Sequence, residues 1–204
     1  MASNDLLVWM DMEMTGLDAE KERIIEVATI ITDGNLTEIA AGPELVIKQP
    51  DEILEGMDAW NKKHHGGSGL IDRVKASAIT DASAEEQILA FVNAHAGAKD
   101  RPVLAGNSIH QDRRFIRHYM PRLDLRLHYR MVDVSTIKEL ARRWFPSIVS
   151  KCPLKKDSHR ALDDVRDSID ELRFYRANVF VPPPPARPSQ PPTPPSTPPP
   201  DTSQ

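Results

Sequence analysis

The run Ile24–Thr32, IIEVATIIT, constrains this chain more than any other stretch. It is β-branched and almost wholly apolar, and it is far too short to cross a membrane as a helix. Such a run belongs to a strand buried on both faces, at the centre of a sheet. Upstream, Leu6 to about Met14 reads as a first strand. Gly34-Asn35 marks a turn into a third strand over Glu38–Ile47. The chain therefore opens on a β-meander, and helical and strand patterns alternate after it. Ser83 and Glu86 have the spacing of a capping box and predict a helix running to Ala96. Val103–Ala105 is a short buried strand, followed by a helix from about Asp112 to Met120. Met131–Val134 is another short strand, after which Ser135 is predicted to cap a helix running to Phe145. The last long helix spans about Ala161 to Asn178. Three strands followed by alternating units predict an α/β fold with helices on both faces of the sheet.

The folded unit is expected to cover residues 1–181. The last 23 of the 204 residues hold 12 prolines. Proline fixes φ and has no N–H to donate, so residues 182–204 are expected to form an extended polyproline tail. A docking peptide for a proline-reading module is the alternative use of such a tail. The first residues, MASNDLLVWMDMEMTGLD, lack a basic segment ahead of the apolar run, so they do not read as a signal peptide. No apolar stretch approaches the ~20 residues of a membrane helix. A single cysteine, Cys152, excludes an internal disulfide framework and fits a reducing compartment. The expected location is cytoplasmic.

The net charge of −4 conceals an uneven distribution. Residues 1–100 carry 8 basic and 19 acidic side chains, whereas residues 101–160 carry 14 basic and 5 acidic ones. A basic zone of that kind can attract phosphates despite the negative total, although a solvated charged surface has the same composition.

Asp11 and Glu13 sit two apart in the first strand, so they share one face of the sheet. Two carboxylates buried together repel unless a cation neutralises them, and hard oxygen donors favour Mg²⁺ or Mn²⁺. As a bare pattern the pair also suits an exposed strand face, but the apolar LLVWM, Met12 and Met14 around it argue for the interior. Asp112 opens a helix, where aspartate is common for dipolar reasons alone. In the last helix, Leu162, Val165, Ile169 and Leu172 form the apolar stripe. Asp163 falls on the charged face with Arg166, Asp167 and Asp170, while Asp164 falls with the small residues Ala161 and Ser168, where another element can approach. Asp164 is therefore the better ligand candidate. His159 precedes that helix, a position that also suits an ordinary surface histidine. A set of carboxylates plus one histidine suits phosphodiester hydrolysis, in which two divalent ions clamp the attacking and leaving oxygens and a base deprotonates water.

These motifs resemble the DEDDh exonucleases: D-x-E on the first strand, an aspartate after GNSIHQ, and H-x-x-x-x-D near the C-terminus, met by His159 and Asp164. WMDMEMTGLD, IIEVATIITD, GNSIHQDRRFI, HYRMVDVSTIKELARRW and HRALDDVRDSIDELRFYR are most similar to the oligoribonuclease family, over roughly residues 6–181. The resemblance implies an RNase H-like mixed sheet and 3′→5′ hydrolysis of very short oligoribonucleotides, dinucleotides above all, to 5′-mononucleotides. It implies that Asp11, Glu13, Asp112 and Asp164 hold two Mg²⁺ or Mn²⁺ ions, that His159 is the base, and that the protein is a homodimer. It further implies that Leu17 wedges between bases and that Trp60 and His65 line the base pocket. Ser108, Arg130, Ser135 and Thr136 would cap the 5′ phosphate, and Tyr129 would reach in from the other protomer. A cap of that kind would limit substrate length, because a longer chain would have to pass through it. Three of these residues also have a plainer reading: Ser135 as a helix cap, Trp60 as core, His65 as a loop residue. His110 departs from the pattern, standing where the family has glycine.

Two other functions compete. A DEDDh exonuclease of longer strands would share the acids but need an open groove in place of the HYRMVDVSTIKEL segment. A non-catalytic RNA-binding or scaffold protein would use the basic zone and the tail, and would have no need of the acids with His159.

Overall fold

The computed structural model describes residues 5–153 and 160–181. Among the described residues, five strands form one sheet: β1 (Leu7–Met14), β2 (Ile24–Thr32), β3 (Glu38–Val46), β4 (Val103–Gly106) and β5 (Met131–Asp133). The described helices are α1 (Asp51–Gly56), α2 (Ala59–Gly67), α3 (Leu70–Ala76), α4 (Asp81–His95), α5 (His110–Tyr119), α6 (Pro121–Arg126), α7 (Val134–Trp144), α8 (Pro146–Val149) and α9 (Ala161–Asn178). The strand order is β3-β2-β1-β4-β5. β1 and β3 flank β2 antiparallel, while β4 and β5 join β1 as parallel neighbours. Every residue of β2 is buried, as its composition predicts.

The pleat sorts β1 between two cores. Val8, Met10 and Met12 face one way, against Ile88, Phe115 and Ile116 of α4 and α5. Trp9 faces the other way, against Val165 and Ile169 of α9 and Ala141 of α7. Burying a side chain such as Phe115 contributes about 1.5–3 kcal/mol. A third cluster seats Leu54 of α1, Met57 just after it, and Leu70 and Val74 of α3 on Ile25. Helices thus lie on both faces, as expected.

Two helix starts differ from expectation. α4 begins at Asp81, and the Thr80 side chain caps it by accepting from the Ser83 N–H. The spacing of Ser83 and Glu86 therefore does not mark the boundary. α7 is capped by Asp133, not Ser135: Asp133 Oδ1 accepts from the Ser135 N–H at 2.9 Å. A carboxylate one residue before the helix takes the capping role and releases the Ser135 hydroxyl. Several cations of the basic zone also have structural duties. The buried Arg113 pairs with Asp124 at 2.5 Å and donates to the His128 carbonyl. Arg126 donates to the carbonyls of Ala96 and Gly97.

Candidate active site

The alternation that turns Trp9 toward α9 carries on along β1 to Asp11 and Glu13, beyond the apolar core. Asp11 lies opposite Ala28 of β2, and Glu13 lies opposite Glu26. The buried Glu26 is ion-paired to Arg73 of α3 at 2.6 Å. On the facing helix, Ala161 and Val165 pack into the core and bring Asp164 to the same place. Ligand oxygens of Asp11, Glu13 and Asp164 all lie within 4.8 Å of one another.

Asp112 arrives from the neighbouring parallel strand. β4 ends at Gly106, where an added Cβ would stand 2.7 Å from the Met10 carbonyl oxygen and 2.8 Å from Ile109 Cδ1. Only glycine allows that approach, which sets the loop leading into α5. The Asp112 carboxylate is buried in the first turn of α5 and accepts backbone N–H donation from Met12. Burial, reinforced by Asp11 and then Glu13, still raises it well above the usual carboxylate range. Glu13 behaves alike: burial, followed by Asp11, Asp164 and Glu26, pushes its carboxyl up to about 8. Among the described residues, burial and three neighbouring carboxylates all oppose its ionisation. Such a site is electrostatically incomplete without a cation, and its all-oxygen donors suit a hard divalent ion. The residues therefore fit the metal that the sequence implies.

Beside Glu13 is a cavity of about 530 Å³ lined by Met12, Glu13, Gly16, Leu17, Asp58, Trp60 and Asn61 among others. Leu17 is 64% exposed and Trp60 66%, so neither is core. An exposed leucine and an exposed indole at one cavity can grip a planar apolar group. His65 is not a loop residue. It lies buried in α2, its Nε2 3.0 Å from the Met14 carbonyl oxygen and its Nδ1 3.9 Å from Glu13 Oε2. Burial, ahead of other influences, lowers its pKa. The ring therefore lies buried behind Glu13, beneath the cavity and not on its lining.

A second cluster sits at the ends of β4 and β5. The Ser108 N–H donates to Asp133 Oδ1 at 3.0 Å and to Ser135 Oγ at 2.9 Å, and the two serine hydroxyls are 3.1 Å apart. Ser108 adopts φ +50°, a left-handed conformation that these bonds hold in place. Ser135 Oγ donates to Asn107 Oδ1, and Asn107 Nδ2 donates to Ser168 and Glu171 of α9. Asn107 thereby ties the loop before Asp112 to the helix carrying Asp164. Thr136 and Arg130 are exposed nearby in sequence, and the Arg130 guanidinium lies 5.4 Å from the centroid of the exposed Tyr129 ring. His110 Nδ1 is 3.3 Å from Asp133 Oδ2. Asn107, Asp133 and His64 escaped the reading of the sequence. A polar residue in a turn and one before a helix carry no local mark of a long-range role, and neither does a histidine within a short helix. His159 lies outside the described residues.

Fold and carboxylate site together define a nuclease of the exonuclease class, and the RNase_T exonuclease family model matches residues 8–172. The oligoribonuclease of Marinobacter nauticus is 55% identical over 180 residues, covering 88% of this chain and 99% of that protein. The human mitochondrial oligoribonuclease is 54% identical over 174 residues, covering 85% of this chain and 73% of its own length. The chain belongs to the oligoribonuclease family. Among solved structures, exonuclease I of Methylocaldum szegediense superimposes with TM-score 0.67 at 21% identity, covering 86% of this chain and 41% of that one. E. coli exonuclease I in complex with a dA16 oligonucleotide gives 0.67 at 14% identity, covering 85% and 41%. This chain thus spans about two fifths of those larger proteins, which share its fold. Among the described residues no helix is long and apolar enough to cross a membrane.

Proposed function

We propose that this oligoribonuclease-family hydrolase removes 5′-mononucleotides from the 3′ end of very short RNA, dinucleotides above all, with Asp11, Glu13, Asp112 and Asp164 holding two Mg²⁺ or Mn²⁺ ions. The observation that carries the reading is the convergence of Asp11, Glu13 and Asp164 within 4.8 Å, with the buried Asp112 adding to the same field. Bound there, divalent ions would supply Lewis-acid stabilisation of the phosphoryl oxygens and lower the pKa of water. The protein's part is to position the substrate and move the proton. Leu17 would wedge between bases, with Trp60 and His65 serving the base pocket. Ser108, Ser135, Thr136 and Arg130 would take the 5′ phosphate, hydroxyls and guanidinium being good phosphate donors. Tyr129, exposed in one chain, would reach the partner's site in a homodimer. His159 would accept the proton of the attacking water.

The folded unit would end near Val181, with residues 182–204 an appended proline-rich segment that lies outside the described residues. We place the enzyme in the cytoplasm. Product analysis of labelled RNA, from dinucleotides to 20-mers, with Mg²⁺, Mn²⁺ or a chelator tests the reading. Cation-dependent turnover that is fastest on dinucleotides is expected. Faster release from the 20-mer would favour a long-strand exonuclease, and binding without turnover would favour a scaffold.

A further inference from the structure

We propose that Glu13, His64 and His65 form a separate site for a borderline-soft divalent metal, Zn²⁺ being the test ion, and that its occupancy blocks the enzyme by withdrawing Glu13 from the carboxylate set. One ligand atom from each of the three residues lies within 4.8 Å of the others. Two imidazoles and one carboxylate form a donor set that hard Mg²⁺ does not favour and Zn²⁺ does, with a fourth position left for water. Hydrogen bonding settles which atom of His65 is available. A carbonyl oxygen only accepts, so the Nε2 found 3.0 Å from the Met14 oxygen must carry the proton. Nδ1 of the neutral ring is then a lone pair directed at Glu13 Oε2, 3.9 Å away. Two ligands ~2.1 Å from one tetrahedral ion stand about 3.4 Å apart. The His65–Glu13 gap is wider by about half an ångström and the His64 atom stands within 4.8 Å of both, so metal binding requires the three side chains to draw together.

The surroundings hold these rings in place. His65 is buried, and its bond to Met14 is the kind of outer contact that orients metal-bound histidines. His64 stacks on Trp60 with centroids 4.8 Å apart and planes 9° apart, and meets His65 edge-on at 5.3 Å. The Asp58 side chain caps the helix that bears both, accepting from the Asn61 N–H at 2.8 Å. Glu13 and Trp60 also line the cavity beside β1, so a metal here would hinder the base pocket while competing for Glu13. The effect on turnover rests on the function proposed above; the binding does not.

The test loads the full-length enzyme with Zn²⁺ under excess Mg²⁺, removes free metal by gel filtration and counts retained zinc. Wild type and Asp11→Asn should both retain it, because Asp11 is not a ligand of this site. His64→Ala and His65→Gln should weaken it by at least the roughly 10–100-fold that loss of even an outer contact costs. His64→Ala should also resist zinc inhibition, read as turnover with Zn²⁺ relative to that variant's own Mg²⁺-supported turnover. Zinc lost by Asp11→Asn but kept by both histidine variants, or not retained by wild type, would overturn the proposal. Absence of Mg²⁺-supported turnover would refute the exonuclease reading instead and leave the zinc count interpretable.

Discussion

Two polar clusters stand at the same end of the sheet, and they solve opposite problems. Around Asn107, Ser108, Asp133 and Ser135, donors and acceptors are matched, and Asp133 takes two backbone N–H groups on one oxygen. That cluster is complete as it stands. Around Asp11, Glu13, Asp112 and Asp164, the groups oppose one another's ionisation, and a backbone donor to Asp112 does not offset its burial. The first is a rigid cradle that needs no ligand to hold its shape. The second reaches low energy only with protons or cations between its members. Asn107 joins them through Ser168 and Glu171, so the cradle's geometry is passed to the helix of Asp164.

The contrast is open to attack from its strongest consequence downward. Asp11→Asn should lower turnover about 10⁴-fold, equivalent to several kcal/mol of lost transition-state stabilisation. Chemical denaturation of the metal-free variant should show stability equal to or above wild type. A large loss of stability would mean that the cluster is structural. His159→Ala should slow turnover by roughly 10²–10⁴-fold and remove the acidic limb of the pH–rate profile, which an unchanged profile would disprove.

Arg130→Ala should weaken dinucleotide cleavage by about 10–100-fold, the worth of one charged hydrogen bond, and affect longer RNA less. Equal loss at all lengths would remove the cradle from substrate recognition. Stability against pH separates the clusters next. Glu13 titrates near 4.5 in the unfolded chain and near 8 in the metal-free fold. The folded state holds that proton more tightly, so its contribution is full below 4.5 and is lost as pH rises through 8. Melting of metal-free protein should fall across that range, and Mg²⁺ should restore it at the alkaline end. Smallest of all, Asp133→Ala should destabilise the fold by about 1–2 kcal/mol through loss of the α7 cap, and Ser135→Ala by about 1 kcal/mol. Denaturant midpoints showing the reverse order would return the cap to Ser135.

What the sequence could show follows the range of each interaction. β2 and α9 keep their predicted limits because burial on every side and a regular apolar stripe are local, periodic signals. Asp11 and Glu13 share a face because the pleat has period two, and Asp164 was separable from Asp163 by helical angle alone. The caps misled because Thr80 and Asp133, lying just ahead of the expected residues, accept the same kind of N–H. α1 and α3 carry short, weakly patterned faces that gain meaning only on Ile25. The bonds of Asn107 to α9 span more than sixty residues and leave no local trace. His65 next to Glu13 is hidden for the same reason, although the resemblance had placed it at the pocket.

The most direct measurement is the number of Mn²⁺ ions bound per chain, titrated in the presence of a non-hydrolysable dinucleotide. Two ions are expected in wild type, with marked loss in Asp11→Asn and Asp164→Asn. A wild-type chain that binds none, or whose binding survives both substitutions unchanged, would contradict the proposed metal centre.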